Sequence, residues 1–96
     1  MEVQRSDLFL PIELVAVDRA RNIRRRYAVR VTADLFGTFI VQTDWGRIGA
    51  KGQSKRRAFA DPHDAARYVS AVLRRRGSAE RRIGVAYAPV RPRGSG

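Results

Sequence analysis

The stretch RRRYAVRVTADLFGTFIVQTDWGR, Arg24 to Arg47, holds two runs in which apolar and polar side chains alternate. In the first, Tyr27, Val29, Val31 and Ala33 share one face, and Arg26, Ala28, Arg30 and Thr32 take the other. A period of two is the repeat of a half-buried β-strand. Asp34-Leu35-Phe36-Gly37 then reads as a tight turn, with Gly37 free to adopt a positive φ. The returning run, Thr38 to Trp45, places Phe39 and Val41 on a common face. The two runs predict an antiparallel hairpin.

Upstream, Leu8 to Val17 alternates through Leu10, Ile12, Leu14 and Ala16, which predicts another strand; Pro11 puts it at a sheet edge or marks an early position. Asp18 to Asn22 reads as a turn. Downstream, Gly46 to Gly52 is a glycine-rich connection, and Gln53 to Ala60 continues as a strand. The period then becomes helical. Asp61 suits an N-cap, Pro62 the first helical position, and Asp64 adds an acid to the first turn. Ala65, Tyr68, Val69, Val72 and Leu73 form an apolar stripe. Arg74, Arg75 and Arg76 complement the negative end of the helix dipole, and Gly77 stops the helix. Ile83 to Val90 fits a last short strand. The expected fold class is α+β: an antiparallel β-sheet of about four to five strands with one α-helix packed on it. Residues 8–90 form the single expected domain, with a flexible stretch over 1–7 and a flexible basic tail over 91–96.

A chain of 96 residues, 44% of them hydrophobic, supports one domain with a modest core. It has no cysteine, which excludes disulfides and thiolate metal sites, and one histidine does not build a zinc site; no cofactor is expected. Glu2 follows Met1 directly, and the apolar run Leu8 to Val17 contains Pro11 and Glu13, so neither a signal peptide nor a membrane span is read here. A cytoplasmic location is expected, nucleoid-associated if the protein binds DNA. The formal net charge is +11, and every cation except Lys51 and Lys55 is arginine. Arginine's planar fork matches phosphate with two hydrogen bonds, so the composition points to a polyanionic partner, although charge also serves solubility.

Gly46, Gly49 and Gly52 do not have the spacing of a nucleotide-phosphate loop, and no helix follows them directly, which excludes nucleotide hydrolysis. Asp61, His63 and Asp64 crowd together at a helix start, where an N-cap and a surface histidine explain them. No nucleophile–base arrangement is visible, and no enzyme activity is expected. Trp45 has two readings. Its parity with Phe39 and Val41 favours burial. Its place beside Gly46, where a bulge would rotate the ring outward, and beside Arg47 favours stacking on an exposed base or sugar. The trios Arg24–Arg26 and Lys55–Arg57 alternate along strands and must divide between two faces.

The segments RNIRRRYAV, LFGTFIVQTDWGRIGAKGQSK and FADPHDAARYVSAVLRRR together resemble the WGR domain, named for the triplet seen here as Trp45-Gly46-Arg47. The resemblance runs from about Leu14 to Tyr87. The triplet is followed by Ile48-Gly49-x-x-Gly52-Gln53 and preceded by Leu35-Phe36-Gly37 and by Asn22 five residues before Tyr27. In poly(ADP-ribose) polymerases that share it, this domain binds DNA at strand breaks and passes the signal to a catalytic domain. The resemblance implies that Trp45 stacks at a terminal nucleotide, that Gly46 permits close approach, and that Arg47 meets phosphate or a partner protein. Asn22 falls where the family has a polar residue near the 5′ terminus. Arg24, Arg26, Lys51 and Lys55 complete the candidate nucleic-acid-binding residues. The family's Gly-Tyr near the end is spread out here as Ile83-Gly84-Val85-Ala86-Tyr87. The 96 residues hold nothing resembling the polymerases' catalytic domain, helical regulatory domain or zinc fingers, so poly(ADP-ribose) synthesis is not expected of them. Two functions follow as expectations. One is a non-catalytic module for DNA ends or breaks, with RNA as a further ligand class. The other is an adaptor docking an acidic protein partner through the Trp-Gly-Arg surface.

Overall fold

The computed structural model describes residues 8–77, 85 and 87–90. Strands β1 (Ile12–Asp18), β2 (Ile23–Ala33), β3 (Phe39–Arg47) and β4 (Gln53–Phe59) run as an antiparallel meander, followed by helix α1 (Pro62–Gly77) and the two-residue strand β5 (Ala88–Pro89). The sheet order is β4-β3-β2-β1-β5, so the chain crosses one sheet face through α1 and returns beside β1. The expected α+β architecture is the observed one. The expected termini, 1–7 and 91–96, and the start of the last strand at Ile83 lie outside the described residues.

Register follows from the alternation. Val29 sits opposite Thr43, and Val31 opposite Val41. A one-residue slip would turn every one of these side chains to the solvent face. The inner face of β2 and β3, with Tyr27, Val29, Val31 and Val41, packs against Ala65, Val69 and Leu73 of α1. Val41 and Val69 are fully buried, and Tyr27, Leu8, Leu14 and Leu73 are nearly so. Thr43 is the buried polar residue of this face, and its hydroxyl donates to the Lys55 carbonyl at 3.4 Å. One expectation needs correction: Leu10 does not belong to the buried face. It is 60% exposed, and Leu8 is buried in its place. Strand β1 begins only after Pro11, which has no N–H for the ladder.

The β2–β3 turn is held by Asp34. Its carboxylate accepts from the Phe36 and Thr38 amides, each at 2.9 Å, and Gly37 takes φ 79°. Strand β4 is a sheet edge and is exposed along nearly its whole length. Lys55, Arg56 and Arg57 line it, and charged side chains of this kind discourage edge-to-edge association.

Helix α1 begins as its sequence predicts. The Asp61 carboxylate accepts from the His63 amide at 2.7 Å, and Pro62 occupies the first turn. Asp61→Ala is expected to cost about 1 kcal/mol, the usual loss for a cap of this type. Urea unfolding of the variant checks it, with a lowered midpoint at unchanged slope as the expected result.

Candidate nucleic-acid interface

The topology gathers one end of the sheet. The β1–β2 turn, the start of β2, the end of β3, the β3–β4 turn and the C-terminal turn of α1 all lie there, because the meander and the helix alternate direction. Asp18 organises the first turn by accepting from the Ala20 amide at 3.1 Å and from Arg21 Nε at 2.7 Å. The Arg21 guanidinium holds the Asp18 carboxyl below its ordinary pKa. Asn22 closes the turn with φ 55°, a left-handed conformation that asparagine tolerates better than most residues.

Arg47 crosses to this turn from the end of β3. Its Nη1 donates to the Asn22 carbonyl at 3.1 Å and its Nη2 to Asn22 Oδ1 at 2.7 Å. A residue with strained backbone is thus gripped by an arginine fork, and those two bonds use part of the guanidinium's donor set. Arg25 stands directly opposite Arg47 in the ladder. Like charges at such a position repel and lower stability.

The β3–β4 turn is pinned from beneath. The Ile48 amide donates to the Arg24 carbonyl at 2.9 Å, and Arg26 Nη2 donates to the Ala50 and Lys51 carbonyls at 3.0 and 2.9 Å. Two glycines make the approach possible. A Cβ on Gly46 would lie 2.8 Å from the Gly52 Cα, and one on Gly52 would overlap the Trp45 carbonyl oxygen and come within 2.7 Å of Arg26 Nη2. The ladder continues in register through this point, with Trp45 opposite Tyr27 and Gly46 opposite Arg26. There is no bulge to turn the indole outward. Trp45 stays on the inner face, half-buried, its ring stacked on Tyr27 with centroids 6.5 Å apart.

The indole is therefore neither sealed in the core nor turned outward. One portion of the ring packs on the core, and the residue also lines an open recess of about 370 Å³. Asn22, Arg24, Arg25, Arg47 and Arg76 line the same recess, with Tyr87 and Gly46, and no carboxylate is among the described residues that line it. Arg76 extends from the end of α1 with its guanidinium carbon 4.1 Å from the Tyr27 ring centroid, at cation–π distance.

Of the residues expected at the interface, Trp45, Gly46, Arg47, Asn22 and Arg24 are brought together. Arg26 braces the β3–β4 turn from the other sheet face, and Lys51 is an exposed turn residue whose carbonyl Arg26 holds. Lys55 lies opposite Thr43, farther along the inner face. The sequence reading does not single out Arg25 and Arg76 as site residues. Strand parity with Tyr27 marks Arg25, and Arg76 falls three and four residues after Leu73 and Val72, on the apolar stripe.

Burial raises the pKa of the Tyr27 hydroxyl, an effect that the nearby Arg76 charge opposes. An unfolded tyrosine loses its proton near pH 10, while the folded one keeps it to higher pH. The folded state then binds more protons, so its stability is full below about pH 10 and falls as pH rises further. Tyr27→Phe is expected to flatten this alkaline limb, measured as thermal midpoints from about pH 8 to 11.

Among the described residues, no helix is long and apolar enough to cross a membrane. The fold and this basic, aromatic-walled recess define a small α+β module. A family model, WGR domain, matches residues 11–84, and the chain belongs to the WGR domain family. Protein y4dW of Sinorhizobium fredii, itself uncharacterized, is 38% identical over 60 residues, which cover 62% of this chain and 29% of that protein. The chain thus spans less than a third of that relative's length.

Proposed function

We propose that this protein is a non-catalytic nucleic-acid-binding module that engages DNA at ends or breaks. The basic recess carries the reading: Arg25, Arg47 and Arg76 converge there on a half-buried indole, with Arg24 also among the described residues that line it. The arginines meet sugar-phosphate oxygens, and Trp45 offers a stacking surface to the terminal nucleotide. An end suits a recess at the rim of a sheet, because a terminal nucleotide presents a sugar or base face that a continuous duplex keeps stacked. Phosphate contacts of this kind displace condensed counterions, so affinity falls steeply with salt and depends little on base sequence.

Competition between linear and closed circular duplexes of equal length in base pairs, repeated over a salt series, tests the proposal. The linear form is expected to compete better at every salt concentration. Equal competition would remove the preference for ends. No binding to either form at low salt would remove the DNA role. A co-purifying partner that survives nuclease treatment and is lost in Arg47→Ala would instead favour an acidic protein ligand at the same surface.

A further inference from the structure

A second recess, of about 240 Å³, lies where the last turns of α1 face strands β3 and β4. Thr43, Trp45, Lys55, Tyr68, Arg75 and Arg76 line it, again with no carboxylate among the described lining residues. Trp45 and Arg76 are common to both recesses, so the indole and the Arg76 side chain form a shared wall.

Three features bear on what it holds. Lys55 pairs in register with Thr43, which sets its side chain on the helix-facing side of the edge strand. Arg76 Nε is buried without a hydrogen-bond acceptor among the described residues, and its guanidinium lies on the Tyr27 ring. This aromatic contact fixes the group in place without neutralising its charge. The third feature is the helix end itself. Its dipole contributes about half a negative elementary charge, too little to cancel the full charges of Arg76 and Lys55. Cations held together at a partly enclosed surface repel more strongly than in open water, and an anion relieves that repulsion.

We propose that this recess is a second phosphate site, in which Lys55, Arg75 and Arg76 hold a phosphodiester group of the strand whose neighbouring phosphate occupies the first recess. The inference rests on the nucleic-acid reading above and extends it. The indole lies between two phosphate sites, and the C-terminal turn of α1 is part of the binding face. The preferred ligand is then a strand with at least two consecutive phosphates rather than a lone terminal phosphate.

The test uses the full chain, with Arg75→Gln and Arg75→Lys as variants. Arg75 is exposed, and urea unfolding of both variants ensures that affinity is measured well below their midpoints. For linear duplex, Arg75→Gln should weaken binding roughly 3- to 10-fold and lower the slope of log affinity against log salt by about one, with Arg75→Lys restoring the slope. In a parallel arm, inorganic phosphate is titrated into labelled wild-type protein and followed by NMR. Shifts are expected at Thr43, Lys55 and Arg75 as well as at Asn22 and Arg47. Wild-type binding with an unchanged slope in Arg75→Gln would overturn the second site while leaving the proposed function standing. Phosphate shifts confined to Asn22, Arg25 and Arg47 would also overturn it. If phosphate shifts Lys55 and Arg75 but duplex does not bind, the anion site stands and the DNA reading falls.

Discussion

Gly52→Ala is expected to lower folding stability by about 2–4 kcal/mol, from left-handed strain and overpacking together. Gly52 has φ 72°, where a Cβ is disfavoured, and that Cβ would overlap the Trp45 carbonyl oxygen. Its other close neighbour, Arg26 Nη2 at 2.7 Å, can move aside as the end of a flexible side chain, but a backbone carbonyl within the β-ladder cannot. Gly49 is the internal control. It has φ 88° and open space where a Cβ would point, with no atom within 4 Å, so Gly49→Ala should show the backbone strain alone, about 1 kcal/mol. Urea unfolding of both variants measures the difference. Equal losses would mean that the turn relaxes away from Trp45 and that the close glycine packing is not rigid. The expected loss is a large fraction of the roughly 5–15 kcal/mol that holds a typical domain together.

Trp45→Ala is expected to weaken binding of linear duplex by about 1–3 kcal/mol, the range for removing one aromatic stacking surface. This corresponds to roughly 5- to 150-fold in affinity. Trp45→Phe should recover part of the loss, because a smaller ring still offers a stacking face. The indole also packs on Tyr27 and against the core, so the alanine variant loses stability as well. Affinity must therefore be measured well below the variant's unfolding midpoint, with circular dichroism confirming the fold. A folded Trp45→Ala with wild-type affinity would show that the ring is a packing element of the rim and that the arginines bind without it.

Much of the architecture is legible in local pattern. The alternation in Tyr27–Val31, the turn at Asp34–Gly37 and the Asp61-Pro62 helix start each specify their own conformation within a few residues, and all three stand where the pattern puts them. Leu10 misleads because alternation across a proline does not show where the ladder begins; Pro11 delays the strand, and Leu8 fills the core position instead. The interface is legible only in part. The motif points to Trp45, Arg47 and Asn22, yet the bond between Arg47 and Asn22 joins positions 25 residues apart, on separate elements. Arg26 looks like a ligand-facing cation and serves as a brace, because what decides its role is the curl of the β3–β4 turn beneath it.

By itself the sequence determined the strand and helix periods, the positions of the turns, and an arginine-rich charge too large for the acidic residues of the chain to balance. These are short-range or additive properties, set by side-chain order and composition. Only the tertiary structure decided that the helix returns Arg76 to the tryptophan, that Arg47 reaches across to Asn22, and that the indole is half covered instead of sealed or free. Those outcomes depend on ladder register and helix packing, which bring distant residues together through many weak contacts that no single segment encodes.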